Sequence, residues 1–259
     1  MSSPIWTPAA LSCEARPYAG PAWRLVEAQH RVSTLKLVDS LAEQALLEDI
    51  LEESKPAVPP ECRHLDYLLA TPFRYGAAYP HGSRFRRSGK TPGVWYGAER
   101  PETAVAEMAF YRLLFYAESP QTPFPDGAAD YTAFSADLHT ATAIDLMAEP
   151  LVHDAKHWTH ATNYAACQDL ADASREAGAE IIRFQSVRDP LGRANLAVLT
   201  CRAFANREPA DRQTWHLRVG AHGVQAICEH PAMGIEFSPG AFATDPRIAA
   251  LERERTGAR

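Results

Sequence analysis

The residues best equipped for chemistry crowd between positions 73 and 112. Arg74, Arg84, Arg86, Arg87 and Lys90 lie in or beside a loop, 76–93, that reads GAAYPHGSRFRRSGKTPG. Arginine forks match phosphate oxygens bidentately, and glycine lets backbone N–H groups approach an anion. A solvated basic loop offsetting an acidic chain would have the same composition. The next element adds information. A short strand over 94–96 ends in Tyr96, and the following segment carries Glu107 among Ala104, Val105, Ala106, Met108, Ala109 and Phe110. A carboxylate in such company is rarely buried unless paired. Glu107 is therefore either salt-bridged to one of the arginines or aimed into a pocket beneath an anion-binding loop. Spacing alone supports both.

The elements that must position these groups follow from periodicity and punctuation. Pro101 suits the first turn of a helix over 101–117, with Glu102 beside the positive end of its dipole. That helix is apolar nearly all round, so it should be buried. Residues 1–22 carry Pro4, Pro8, Pro17 and Pro21 without periodicity and read as an irregular arm. A strand is expected over 23–30 and a helix over 33–54, whose apolar face includes Val38, Leu41, Ala45, Leu47, Ile50 and Leu51. A short helix over 61–70 and a strand end at 73–75 follow. Beyond the proline-rich 119–129, strands are expected at 130–138 and 142–147, then a helix over 156–177 closed by Gly178. Core strands over 180–187 and 195–201 and a hairpin over 212–219 and 223–229 complete the pattern. Strands and helices mix without strict alternation. This predicts an α+β fold, a mixed twisted sheet with flanking helices and an N-terminal helical extension. The expected division is an arm and helical extension over 1–70, one domain over 71–245 and a charged tail over 246–259.

Composition excludes several classes. The 259 residues are 46% hydrophobic and 22% charged, as in folded domains rather than disordered or collagen-like chains. A net charge of -6 disfavours a nucleic-acid binder, whose affinity comes largely from phosphate neutralisation. The 5 cysteines include no C-x-x-C pair, so reduced thiols in a cytoplasmic protein are expected and paired-cysteine zinc is not. His153, His157 and His160 are spaced for one helical face, but no fourth ligand is evident, and no metal is expected. The start has no basic region ahead of an apolar run, so no signal peptide is expected, and no apolar run is long enough for a membrane span. The glycines form neither a Rossmann fingerprint nor a P-loop, and Ser186-Val187-Arg188 is not a nucleophile elbow.

The run HGSRFRRSGKTPGVWYGAERPETAVAEMAFYR resembles the core of the RES domain family: Gly-x-Arg-aromatic, a Tyr closing a strand, then a helix with Ala-x-x-Glu. The later run REAGAEIIRFQSVRDPLGRANLAVL is similar to that family's second block, a helix leading through Gly to a strand ending in Ser, with an Asn across a short loop. Together they span roughly 73–200. The resemblance implies a RES-like catalytic domain over 71–245 with an ADP-ribosyltransferase-like fold. It implies a toxin-type enzyme that consumes NAD+ as substrate by hydrolysis or phosphorolysis, or that transfers ADP-ribose to a protein. A helix-turn-helix antitoxin protein is then a candidate partner. A non-catalytic module holding a phosphorylated ligand is the alternative from another class. By position, Arg84, Tyr96, Glu107 and Ser186 take the family's Arg, Tyr, Glu and Ser. Asn195 joins them as a substrate-binding residue. The loop before Tyr96 is longer than in compact members, so Arg86 competes with Arg84, and Arg74 is a further anion-binding candidate. Ser186 could equally be a turn residue, and Tyr96 a core residue beside Trp95.

Overall fold

The computed structural model describes residues 6–27, 37–76 and 80–249. Its α-helices include α1 (Pro8–Glu14), α2 (Leu41–Glu53), α3 (Tyr67–Arg74), α4 (Pro101–Glu118), α5 (Ala155–Trp158) and α6 (Ala165–Glu176). Its strands are β1 (Arg16–Glu27), β2 (Trp95–Ala98), β3 (Ala129–Asp145), β4 (Ile181–Gln185), β5 (Ala194–Val198), β6 (Arg212–Gly220), β7 (Gly223–Cys228) and β8 (Met233–Phe237). These form one mixed sheet in the order β1-β2-β5-β4-β3-β6-β7-β8, and β1 also pairs with β3. The pairings β1–β2–β5–β4–β3–β1 thus close a circuit, from which β6, β7 and β8 extend. Only β3 and β4 run parallel. The α+β mixed sheet expected from sequence is observed.

Helix α4 forms where Pro101 and the apolar run predicted it. Val105, Ala106, Ala109, Phe110 and Leu113 are fully buried, packed on Trp215, Leu217 and Phe237 of the β6–β8 side. Such burial contributes roughly 1.5–3 kcal/mol for each large side chain, which fixes the helix that carries Glu107. Helix α6 ends at Gly178, with φ 75°, a left-handed conformation that glycine adopts without strain.

Several expectations are corrected. Residues 16–22 are not an irregular arm. They are the first half of β1, paired with β3 from Arg16↔Ala143 to Glu27↔Tyr131. Pro21 is tolerated because this stretch pairs with β3 alone, and a strand with one open edge does not need that N–H. Residues 16–27 of the expected extension are therefore part of the central sheet. The expected strand residues 28–30 and the start of the expected helix at 33–36 lie outside the described residues, as does 250–259 of the tail. Residues 73–75 end a helix, not a strand, because Asp66 caps α3 through its bond from the Leu68 N–H (2.8 Å). The two strands expected over 130–147 are one. The register slips opposite Arg16 and Tyr18, and this bulge absorbs the polar stretch near Thr140 and Thr142. The helix expected over 156–177 is broken between α5 and α6, where His160 Nδ1 accepts from the Thr162 and Asn163 N–H groups. The three histidines consequently share no helical face. Leu41, Ile50 and Leu51 of α2 are exposed, and the buried residue on that helix is Gln44. No helix among the described residues is long and apolar enough to cross a membrane.

Candidate active site

A cavity of about 330 Å³ opens where β1, β2, β5, the 82–84 turn and α4 converge. This volume lies within the range of small-molecule sites. Gly97 of β2 is needed here. A Cβ on it would lie 2.4 Å from the Trp95 ring and 3.1 Å from the Trp23 carbonyl, so only glycine lets β1 and β2 meet at Trp23↔Ala98.

Glu107, half-buried, projects from α4 into this cavity. Its Oε1 accepts from Ser186 Oγ at 2.7 Å and from Asn195 Nδ2 at 2.6 Å. No hydrogen bond to its Oε2 occurs among the described residues. Ser186 stands just past the end of β4 and does two jobs. Its Oγ donates to Glu107 and accepts from the N–H groups of Arg188 (3.1 Å) and Asp189 (2.9 Å). The turn reading of Ser186 is realised, and the same hydroxyl also holds Glu107. Asn195 sits in β5, whose residues are all buried. Its Oδ1 is buried without a hydrogen-bond partner, an acceptor available to a ligand donor.

The loop from Ser186 to Arg193 is held by Asp189. Its Oδ2 accepts from Thr103 Oγ1 of α4 at 2.7 Å and from Arg193 Nε at 2.5 Å. Burial pushes its carboxyl up, but the hydrogen bonds from Arg193 and Thr103 outweigh this and hold it below the usual carboxylate range. Gly192, at φ 60°, closes the loop with its N–H on the Asp189 carbonyl at 2.8 Å.

Tyr96 lines the cavity from β2. Its hydroxyl lies 2.9 Å from Ser83 Oγ and accepts from the Phe85 N–H at 2.9 Å. Burial raises its pKa, so the phenol stays neutral and keeps its proton for hydrogen bonding. Tyr96 thereby pins the tight turn 83–86, closed by paired backbone bonds between Ser83 and Arg86. The basic loop is folded at this point rather than solvated.

Among the arginines, Arg84 reaches the cavity. It is buried, its Nη1 donates to the carbonyls of Trp158 (2.7 Å) and His160 (3.1 Å), and it stacks 4.6 Å from the Tyr164 ring centroid. Arg74 does not reach it. Its Nε donates to the Pro56 carbonyl and its Nη2 pairs with Glu52, both at 2.7 Å. Arg86 is also turned away from the cavity, and its guanidinium donates to the carbonyls of Gly76 and His81. Arg87 pairs with Asp169 (2.6 Å) and Asp172 (3.0 Å) of α6. No grouping of metal ligands occurs among the described residues.

Two cavity arginines were missed in the sequence. Arg188 lies 3.7 Å over the Phe110 ring, and its Nη2 donates to the Ala161 carbonyl (2.7 Å) and meets Asp245 (3.2 Å). Its Nη1 is buried without a partner. Its place two residues after Ser186 was the available signal. Arg24 of β1 lines the cavity as well, and a lone cation in a half-buried strand gave no signal.

Fold and site together define an α+β domain built around a one-sidedly anchored carboxylate in an arginine-lined cavity. Residues 58–219 match the RES domain family, and the chain belongs to that family. Among solved structures, the crystal structure of the M. tuberculosis MbcT–MbcA toxin–antitoxin complex is similar at 10% identity and a TM-score of 0.43, covering 93% of this chain and 96% of that chain. No curated protein gives a significant match.

Proposed function

We propose that this protein is an enzyme of ADP-ribosyltransferase-like fold that consumes NAD+ by cleaving the bond between nicotinamide and ribose. The observation that carries the reading is the anchoring of Glu107. Ser186 and Asn195 hold one carboxylate oxygen, which leaves Oε2 for the substrate. Breaking the C1′–N bond sends the bonding pair to the pyridinium nitrogen, so nicotinamide leaves neutral and no general acid is required. Positive charge develops on the ribose, and a fixed carboxylate stabilises it electrostatically. The oxygen of water or phosphate then bonds to C1′, and the proton of an attacking water passes to solvent. The Asn195 Oδ1 acceptor suits a ribose hydroxyl or the carboxamide N–H. Arg84 contributes positive charge toward the pyrophosphate, and Tyr96 holds the turn that presents it.

Family membership supports a biological role as a toxin restrained by a helix-turn-helix antitoxin protein. The decisive experiment is NAD+ turnover by the purified protein with and without phosphate. Free nicotinamide with ADP-ribose means hydrolysis. A phosphate requirement with a phosphorylated ADP-ribose product means phosphorolysis. Label retained on protein means ADP-ribose transfer. Intact NAD+ under all conditions overturns the enzyme reading in favour of a binding module.

A further inference from the structure

The chain continues past the family-matched segment 58–219 into β7, β8 and a short 3-10 helix, Pro239–Phe242. This C-terminal stretch is docked on α4. Phe242 and Ile248 are buried in the cluster around Phe110, and the Phe242 and Phe110 ring centroids lie 5.8 Å apart. Asp245, between them in the chain, is fully buried. Its Oδ1 accepts from the N–H and the Nε of Arg247, both at 3.0 Å. Its Oδ2 meets Arg247 Nη2 at 2.9 Å and Arg188 Nη2 at 3.2 Å. The two arginines that it holds differ. Arg247 runs on to Glu118 (3.2 Å) at the surface. Arg188 is buried, lies over the Phe110 ring and lines the cavity. Its Nη2 is occupied by Asp245 and the Ala161 carbonyl, while its Nη1 is buried without a hydrogen-bond partner.

A buried ion pair adds little stability over apolar residues of the same volume, and a buried donor left unpaired is costly. Arg247 by itself already ties Asp245, so latching the C-terminal stretch does not account for Arg188 and its orphaned Nη1. We propose that Asp245 is a positioning residue, which fixes Arg188 so that Nη1 is presented to an acceptor oxygen of the ligand at the Glu107 end of the cavity. Two links place the guanidinium at that end. Phe110 beneath it stands on the next turn of α4 after Glu107. The Arg188 N–H donates to Ser186 Oγ, which itself donates to Glu107 Oε1. The identity of the ligand rests on the NAD+ reading. On that reading the oxygens at the Glu107 end are uncharged, those of the ribose hydroxyls and the nicotinamide carboxamide. A carboxylate from outside the family-matched segment thus completes the wall that faces the scissile bond.

The test is a double-mutant cycle on the full chain. The rate constant kcat/KM for NAD+ cleavage and the melting temperature are measured for Asp245→Asn, Arg188→Met and the two combined. Asparagine keeps the volume and one acceptor of Asp245 without the charge that holds Arg188. Asp245→Asn should lower kcat/KM by about 10-fold or more, and Arg188→Met by at least as much. The combination should be no worse than Arg188→Met alone, because Asp245 acts through that side chain. Lower melting with unchanged kcat/KM of the folded protein would confine Asp245 to docking the C-terminal stretch and overturn the proposal. Additive effects of the two substitutions would overturn it as well. If Asp245→Asn does not fold, or if the wild type leaves NAD+ intact and so overturns the enzymatic reading alone, the Arg188 guanidinium resonances decide. They are followed in Glu107→Gln, where NAD+ survives. A fixed Arg188 should give separate Nη1 and Nη2 signals, and NAD+ should shift Nη1. Averaged signals, or an unmoved Nη1, overturn the positioning role.

Discussion

The arginines at the cavity and those on the flank of α6 and α2 have the same chemistry and opposite fates. Arg87 spans Asp169 and Asp172, and Arg74 ends on Glu52. Arg24 and Arg84 reach the cavity and meet carbonyls, aromatic faces and, for Arg84, the Cys167 sulfur, with no carboxylate partner among the described residues. Arg188 meets one carboxylate and keeps a spare donor. Charge satisfied within the chain is structural, whereas charge left unsatisfied beside a cavity is available to a ligand. Glu107 shows the same division within one side chain. One oxygen is held by neutral donors, and among the described residues no arginine pairs with the group. The salt-bridged alternative that the sequence left open is therefore not the one realised.

The contrast can be broken most sharply at Glu107. Glu107→Gln keeps the volume and removes the charge, so kcat for NAD+ should fall by on the order of 10²-fold or more, with binding less affected. Wild-type turnover in that variant would return Glu107 to a structural role. Next in size is Ser186→Ala. It removes a donor to Glu107 and the acceptor for two backbone N–H groups, so both kcat/KM and thermal stability should drop. The stability loss should be roughly 1–3 kcal/mol, larger than expected for an isolated turn serine. Unchanged melting with reduced kcat/KM would mean that the loop 186–193 stands without it.

A pH titration sharpens the comparison from the structural side. Asp189 has a depressed pKa in the folded state, and so has Asp245, where burial is outweighed by the hydrogen bonds from Arg247 and the charges of Arg188 and Arg247. A depressed carboxylate stabilises the fold above its unfolded pKa, near 3.9, and that stability is lost as pH falls through the folded value. Melting temperature should therefore decline as pH drops below about 4, less steeply in Asp189→Asn than in the wild type. Equal slopes would remove Asp189 as the anchor of the loop. The smallest effects belong to the flank. Arg87→Lys should cost a few tenths to about 1 kcal/mol of stability, since its ion pairs are partly exposed. Neither it nor Arg74→Ala should move KM for NAD+. A raised KM in either variant would erase the distinction between paired and unpaired arginines.

Much of the site was legible locally. Proline at the head of α4, the apolar residues around Glu107, the serine after β4 and the asparagine in a buried strand are short-range patterns, and the resemblance put them in order. The arginine roles were not legible. Arg74, Arg84, Arg86 and Arg87 are close neighbours in the chain, and nothing in their spacing says that Glu52 takes one, α6 takes another and the Gly76 and His81 carbonyls take a third. Arg24 lies in a segment that reads as a strand, but nothing local says which wall that strand forms. The prolines at 17 and 21 make the first part of β1 look irregular, and only pairing with β3 makes it sheet.

The sequence by itself determined the local elements that depend on nearby residues: a buried helix carrying one carboxylate, strands rich in apolar side chains, and glycines where the backbone turns or crosses closely. Only the tertiary structure decided which cations face the cavity without a counter-charge. Ion pairing and burial depend on residues far apart in the chain. A strand inserted by long-range pairing can bring a cation into a site that no local pattern foretells.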